Sequence, residues 1–195
     1  MKMMIRKLCE LPAKVYNLIL MRYLGVSYGE NCTFKGKILI QGKHNIEMGD
    51  NVRIKSGLHY NPIGGDNQCV LVARPGGRII IGSNVGMSNS AIVSFSEVKI
   101  GDNVLLGGGV KIYDTDFHSL DYEKRMAGFE DVKTAPVCIK NGAFIGAHSI
   151  ILKGVTIGEY SVVGAGAVVT RSIPPCQAWA GNPARFIKNI EKMER

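Results

Sequence analysis

Aliphatic residues recur at every sixth position through the last third of the chain, as Ile139, Ile145, Ile151, Ile157, Val163 and Val169. Glycine follows three of them, at Gly146, Gly158 and Gly164. A period of six fits neither the ~3.6-residue period of an α-helix nor the two-residue alternation of a half-buried strand. It is the period of a parallel β-helix, in which each short strand turns one aliphatic residue inward and then bends at a corner. Glycine after the aliphatic lets neighbouring backbones approach closely, because it has no Cβ. The pattern predicts an all-β fold: a left-handed parallel β-helix of hexapeptide repeats.

The same unit recurs upstream in looser form, in Met48-Gly49-Asp50-Asn51-Val52, Ile81-Gly82-Ser83-Asn84-Val85 and Ile100-Gly101-Asp102-Asn103-Val104. Ile81, Met87 and Val93 keep step, then Ile100, Leu106 and Ile112 keep step one residue later. The slip predicts a bulge or insertion at a corner. Two stretches break the pattern. Residues 58–68 carry Asn61-Pro62-Ile63-Gly64-Gly65, a turn-rich loop. Residues 114–136 are polar and lack the hexad, and a long loop thrown out of a regular solenoid is commonly functional.

Residues 1–25 read as a helical segment, residues 26–175 as the β-helix with its protruding loop 114–136, and residues 176–195 as a capping segment. In the first, Leu8, Leu11, Val15, Leu18 and Ile19 fall at helical spacing among Lys7, Lys14 and Arg22. Two roles stay open for this helix: packing on the body or a neighbouring subunit, and peripheral contact with an anionic membrane. Glu10, Pro12 and Lys14 interrupt the apolar stretch, which argues against a secretory signal, and the run 15–21 is too short to span a bilayer. At the other end, Pro174-Pro175 stops strand pairing, and a short charged C-terminal helix is expected to cap the solenoid.

The formal net charge of +8 points to an anionic partner. The charges are dispersed rather than interleaved with aromatics, which argues against nucleic acid and leaves an acidic membrane or a phosphorylated cofactor. Five scattered cysteines without a CxxC pair fit a reducing cytoplasm, the expected location. The four histidines form no ligand cluster, so no metal is expected.

The hexads, the loop ending in His118, and the segment Val168-Val169-Thr170-Arg171-Ser172-Ile173-Pro174-Pro175 with Ala180-Gly181-Asn182-Pro183-Ala184-Arg185 resemble the hexapeptide-repeat O-acetyltransferases. The similarity is to the galactoside and maltose acetyltransferase group and its relatives in surface-polysaccharide synthesis. It implies acetyl-CoA as co-substrate, a carbohydrate acceptor and a homotrimer whose cofactor groove lies between two solenoids. Transfer of an acetyl group from the thioester to a hydroxyl needs a base near pH 7, which imidazole supplies, and donors for the tetrahedral oxyanion. The resemblance assigns the base to His118. It gives Asp116 an orienting or sugar-binding role, and Asn89 a contact with the acceptor or reacting centre, with Ser88 as its alternate. On the donor side it places Ala147 and Ala165 beside the pantetheine arm, and Arg171, Arg185 and Lys188 near the cofactor phosphates.

Three functions therefore stay in view. The first is acetyl-CoA-dependent O-acetylation of a sugar or sugar-containing acceptor, the second an O-acetyltransferase acting on an antibiotic hydroxyl. The third is a solenoid scaffold without chemistry.

Overall fold

The computed structural model describes residues 2–128 and 131–191, with side chains described from residue 12 onward. Three parallel sheets wrap around one apolar axis. The first sheet runs from Ser27–Tyr28 to Thr156–Ile157 and the third from Leu39–Gln41 to Val168–Val169, each in six strands. The second sheet starts at Thr33–Lys35 and has eight strands. Consecutive strands pass from first to second to third sheet, then rise one rung. Ile139 accordingly pairs with Ile157, Ile145 with Val163 and Ile151 with Val169. This is the left-handed parallel β-helix that the hexads predict.

All six residues of the regular array are fully buried. Each hexad also turns a second residue inward two positions earlier: Val137, Ala143, Ser149, Val155, Ser161 and Ala167 are equally buried. These positions sit where the chain enters a strand from a corner, and small or β-branched side chains fill the narrower space. Two of them are serines whose hydroxyls are satisfied, Ser149 donating to the Gly164 carbonyl (2.9 Å) and Ser161 to that of Pro174 (2.6 Å).

The corner between the first and second sheets repeats a left-handed residue. Asn31, Asn51, Asn84 and Asn103 all have φ between 55° and 60°, a conformation asparagine tolerates better than most residues. The recurring Asn of the upstream units is thus a corner signal. Between the second and third sheets, Gly146 passes so near the next rung that a Cβ would lie 2.5 Å from the Ala165 nitrogen.

The phase slip differs from the sequence expectation. Ile92, not Val93, faces the core, stacked between Leu71 and Ile112, while Val93 points outward beside Tyr113. The extra residues lie at the next corner, Phe95-Ser96. The Asp114 carboxylate accepts hydrogen bonds there from the Ser94 hydroxyl (2.7 Å) and the Phe95 (2.7 Å) and Ser96 (2.8 Å) amides.

Helix α1, Lys2–Leu24, crosses the first rung and seals the lower end with Met21. Asn17 fastens it, donating to the Gly36 carbonyl (2.8 Å) and accepting from the Ile38 amide (3.1 Å). The segment expected to lead into a C-terminal helix is itself extended. Gln177–Ala180 adds to the second sheet in parallel with Val162–Val163, and Arg185–Asn189 folds back on it as an antiparallel strand. The open sheet edge offers this segment backbone partners that a helix would leave unused. Residues 192–195 lie outside the described residues.

Candidate active site

Loop 114–136 leaves the third sheet at its far corner, after Lys111–Tyr113, and returns to the first sheet at Val137–Ile139. Three contacts hold its base. Asp114 is buried on the Ser94–Ser96 corner, Thr115 bridges Thr134, and Asp116 forms an ion pair with Lys153 at 2.7 Å. Phe117, with φ 63°, stacks edge-on against Phe95 and Tyr113, with ring centroids 6.0 and 5.2 Å away. His118 follows directly and is solvent-exposed. A short helix, α2 (Tyr122–Ala127), begins at Asp121, whose carboxylate accepts the Lys124 amide (3.1 Å). Asp116 thereby ties the start of the loop to Lys153.

The residues implied for the donor stand elsewhere. Gly107, Ala147 and Ala165 stack on successive rungs at the corner between the second and third sheets, with the Gly166 amide donating to the Ala147 carbonyl (2.8 Å). Six residues of the third-sheet path separate Ala147 from Lys153, roughly 15–20 Å at ~3.3 Å per residue. Within one chain, the base of the His118 loop and the small-residue corner thus occupy opposite edges of one sheet.

Asn89 lies on the small-residue corner but is 2% exposed, with φ 48°. Its side-chain oxygen accepts the Gly57 amide (2.7 Å), and its amide nitrogen donates to the carbonyls of Asn61 (2.8 Å) and Gly65 (3.2 Å). These three hydrogen bonds tie Asn89 to loop 57–68. His148 makes a second tether, its Nε2 lying 2.7 Å from the Ile63 carbonyl oxygen. Loop 57–68 therefore lies along the corner as a wall beside Ala147. Neither tether was legible in the sequence, because each joins residues far apart in the chain.

Ser88 opens instead onto a groove of about 320 Å³ on the outer face of the second sheet, with Arg53, Lys55, Leu105, Gly107 and Phe144. The groove joins two cations to an apolar floor. Higher up, the Arg171 guanidinium lies over the Trp179 ring, 5.1 Å from its centroid. Trp179 itself is buried, its indole N–H donating to the Gln177 side-chain oxygen (2.8 Å). Arg185 and Lys188 are exposed on the closing strand.

The bacterial transferase hexapeptide (six repeats) family matches residues 139–171. Among sequences, the chain is 40% identical over 121 residues to galactoside O-acetyltransferase of Escherichia coli, covering 62% of this chain and 58% of that protein. The chain spans about half the length of the curated relatives it matches. Among solved structures, it is similar to AntD, an N-acyltransferase from Bacillus cereus in complex with dTDP and 3-hydroxybutyryl-CoA. The TM-score is 0.71 at 26% identity, covering 89% of this chain and 88% of that one. A hexapeptide-repeat acetyltransferase of Vibrio cholerae complexed with acetyl coenzyme A matches with a TM-score of 0.57 at 27% identity, over 92% of this chain and 79% of that one.

Proposed function

We propose that this protein is an acetyl-CoA-dependent O-acetyltransferase acting on a hydroxyl of a sugar or sugar-containing acceptor. The observation that carries the reading is the anchoring of the loop that presents His118, in a solenoid similar to CoA-bound acyltransferases and to galactoside O-acetyltransferase. His118 acts as general base: its imidazole takes the acceptor's proton as the oxygen attacks the thioester carbonyl. The tetrahedral intermediate then expels the coenzyme A thiolate, which leaves with a proton. No covalent enzyme intermediate is needed when both substrates are held together.

Acetyl-CoA is the co-substrate. Its pantetheine arm runs along Gly107, Ala147 and Ala165, where small side chains leave backbone groups open to it, and Arg171, Arg185 and Lys188 meet its phosphates. Lys153 positions the His118 loop through Asp116. The separation of that loop from the small-residue corner supports a homotrimer in which each site joins the loop of one copy to the corner of the next. The outward column of the third sheet, Val70, Ala91, Ile150 and Val168 with Lys111 at its middle, supports the same assembly. The product's place is in surface-polysaccharide synthesis.

A second reading is favoured by the AntD likeness, one of whose structures contains dTDP-4-amino-4,6-dideoxyglucose and coenzyme A. On that reading the acceptor atom is a sugar amine. Mass spectrometry of acetyl-CoA incubations with pooled sugars, amino sugars and nucleotide sugars separates the two. A product gaining one acetyl group that mild alkali removes supports O-transfer. An alkali-stable product supports N-transfer, and the absence of any acetylated product would sink both.

A further inference from the structure

Helix α1 has one face committed to the β-helix. Ala13, Asn17 and Met21 are buried, with Leu20 and Leu24 partly so. The opposite face is apolar and bare. Val15, Ile19 and Tyr23 succeed one another at i, i+4 and i+8, and are 46%, 65% and 73% exposed, with Tyr16 and Leu18 beside them. An amphipathic helix that caps a solenoid needs only one apolar face; this one has two.

Charge sets the second face apart. The helix sequence contains Lys2, Arg6, Lys7, Lys14 and Arg22 against Glu10 alone. Lys14 and Arg22 are exposed, and Lys37 of the first rung reaches over the Tyr16 ring at 5.4 Å. Among the described residues, none of these three cations is in an ion pair. Between helix and first rung lies a recess of about 270 Å³, lined by Leu18, Tyr28 and Phe34 together with Lys14 and Lys35. Aromatic and aliphatic groups ringed by cations match a surface that is apolar inside and anionic outside.

We propose that the outer face of α1 is a docking surface for an anionic phospholipid bilayer. The helix lies in the interface plane, with Val15, Ile19 and Tyr23 entering the headgroup–acyl boundary and Lys14, Arg22 and Lys37 meeting lipid phosphates. Among the described residues no helix is long and apolar enough to cross a membrane, so the contact is peripheral. A second copy of this chain is a poorer occupant, because self-association through this face would oppose two strongly cationic helices. With α1 on the bilayer, the His118 loop leaves the solenoid three rungs above Leu39–Gln41, about 15 Å at ~4.8 Å per rung, with the ~10 Å thickness of the helix below that rung.

The test is co-sedimentation of the full chain with vesicles of phosphatidylcholine alone and of phosphatidylcholine mixed with phosphatidylglycerol, at low and high salt, without substrates. Binding to the mixed vesicles only, weakened by salt, is expected. Lys14→Gln with Arg22→Gln should weaken it roughly fivefold per cation removed, and Val15→Asp with Ile19→Asp should abolish it. Circular dichroism serves as the fold control for these exposed positions. Equal binding by all variants, or none by the native chain at low salt, would overturn the proposal. So would a fall in oligomer mass caused by Ile19→Asp in sedimentation, which would make this face a subunit contact. Because the readout is lipid binding, its failure leaves the acyl-transfer reading standing, and the reverse holds too.

Discussion

The Asp116 carboxylate lies 2.7 Å from the Lys153 ammonium, in an ion pair joining the His118 loop to the rung that follows it. Lys153 comes immediately after Leu152, 37 residues beyond its partner. The pair is partly shielded, with side chains 23% and 30% exposed, so its contribution to stability is small, on the order of 1 kcal/mol. Its effect falls on where the loop stands. Asp116→Asn and Lys153→Met should each lower kcat while leaving the KM for acetyl-CoA and the melting temperature nearly unchanged. The exchanged pair Asp116→Lys with Lys153→Asp should recover part of the loss. Native kcat in both single variants would remove the pair from the site.

His118→Ala should reduce turnover by about 10²–10⁴-fold, the usual share of a general base, while acetyl-CoA still binds. Steady-state kinetics beside calorimetric titration with acetyl-CoA checks this. A variant retaining near-native turnover would exclude His118 as the base.

Asp114 carries a different burden from Asp116. It is fully buried and accepts three hydrogen bonds at the corner where the repeat gains residues. Asp114→Ala leaves those donors unpaired and should cost about 3 kcal/mol or more. Asp114→Asn should also destabilise, because its NH₂ must face amide donors. Denaturant unfolding of Asp114→Asn beside Asp116→Asn distinguishes them; equal midpoints would contradict the buried anchor.

Cys69 supplies a pH dependence. Burial pushes its thiol up to about 12, outweighing the Ser90 and Asn89 amides that favour the thiolate. An unfolded thiol ionises near 9, so between about 9 and 12 the native state holds a proton that the unfolded chain has lost. Stability contributed by the buried thiol is complete below that window and falls as pH rises through it, at about 1.4 kcal/mol per pH unit at most. Cys69→Ala should flatten the alkaline decline in denaturant midpoint. Native Cys69 should also resist alkylation at pH 8, where the partly exposed Cys32, Cys138 and Cys176 react. Prompt labelling of Cys69 would contradict its burial.

The residues themselves determined the solenoid. Ile139 to Val169 repeat without a slip, and each hexad needs only its neighbours one rung away, so a local period carries the fold. The breaks at 58–68 and 114–136 were legible for the same reason, as places where the period stops. What the period could not carry was decided by tertiary contact. Ile92 rather than Val93 enters the core because strand register sets the stack. Residues 185–189 form a strand because an unpaired sheet edge lies within reach. Asn89 is tied to Gly57, Asn61 and Gly65, and Asp116 to Lys153, through pairings that span from 24 to 37 residues. Such contacts leave no periodic trace in the chain. They arise only when winding brings distant rungs and loops to one corner, where hydrogen-bond capacity and charge are shared among residues that no spacing rule connects.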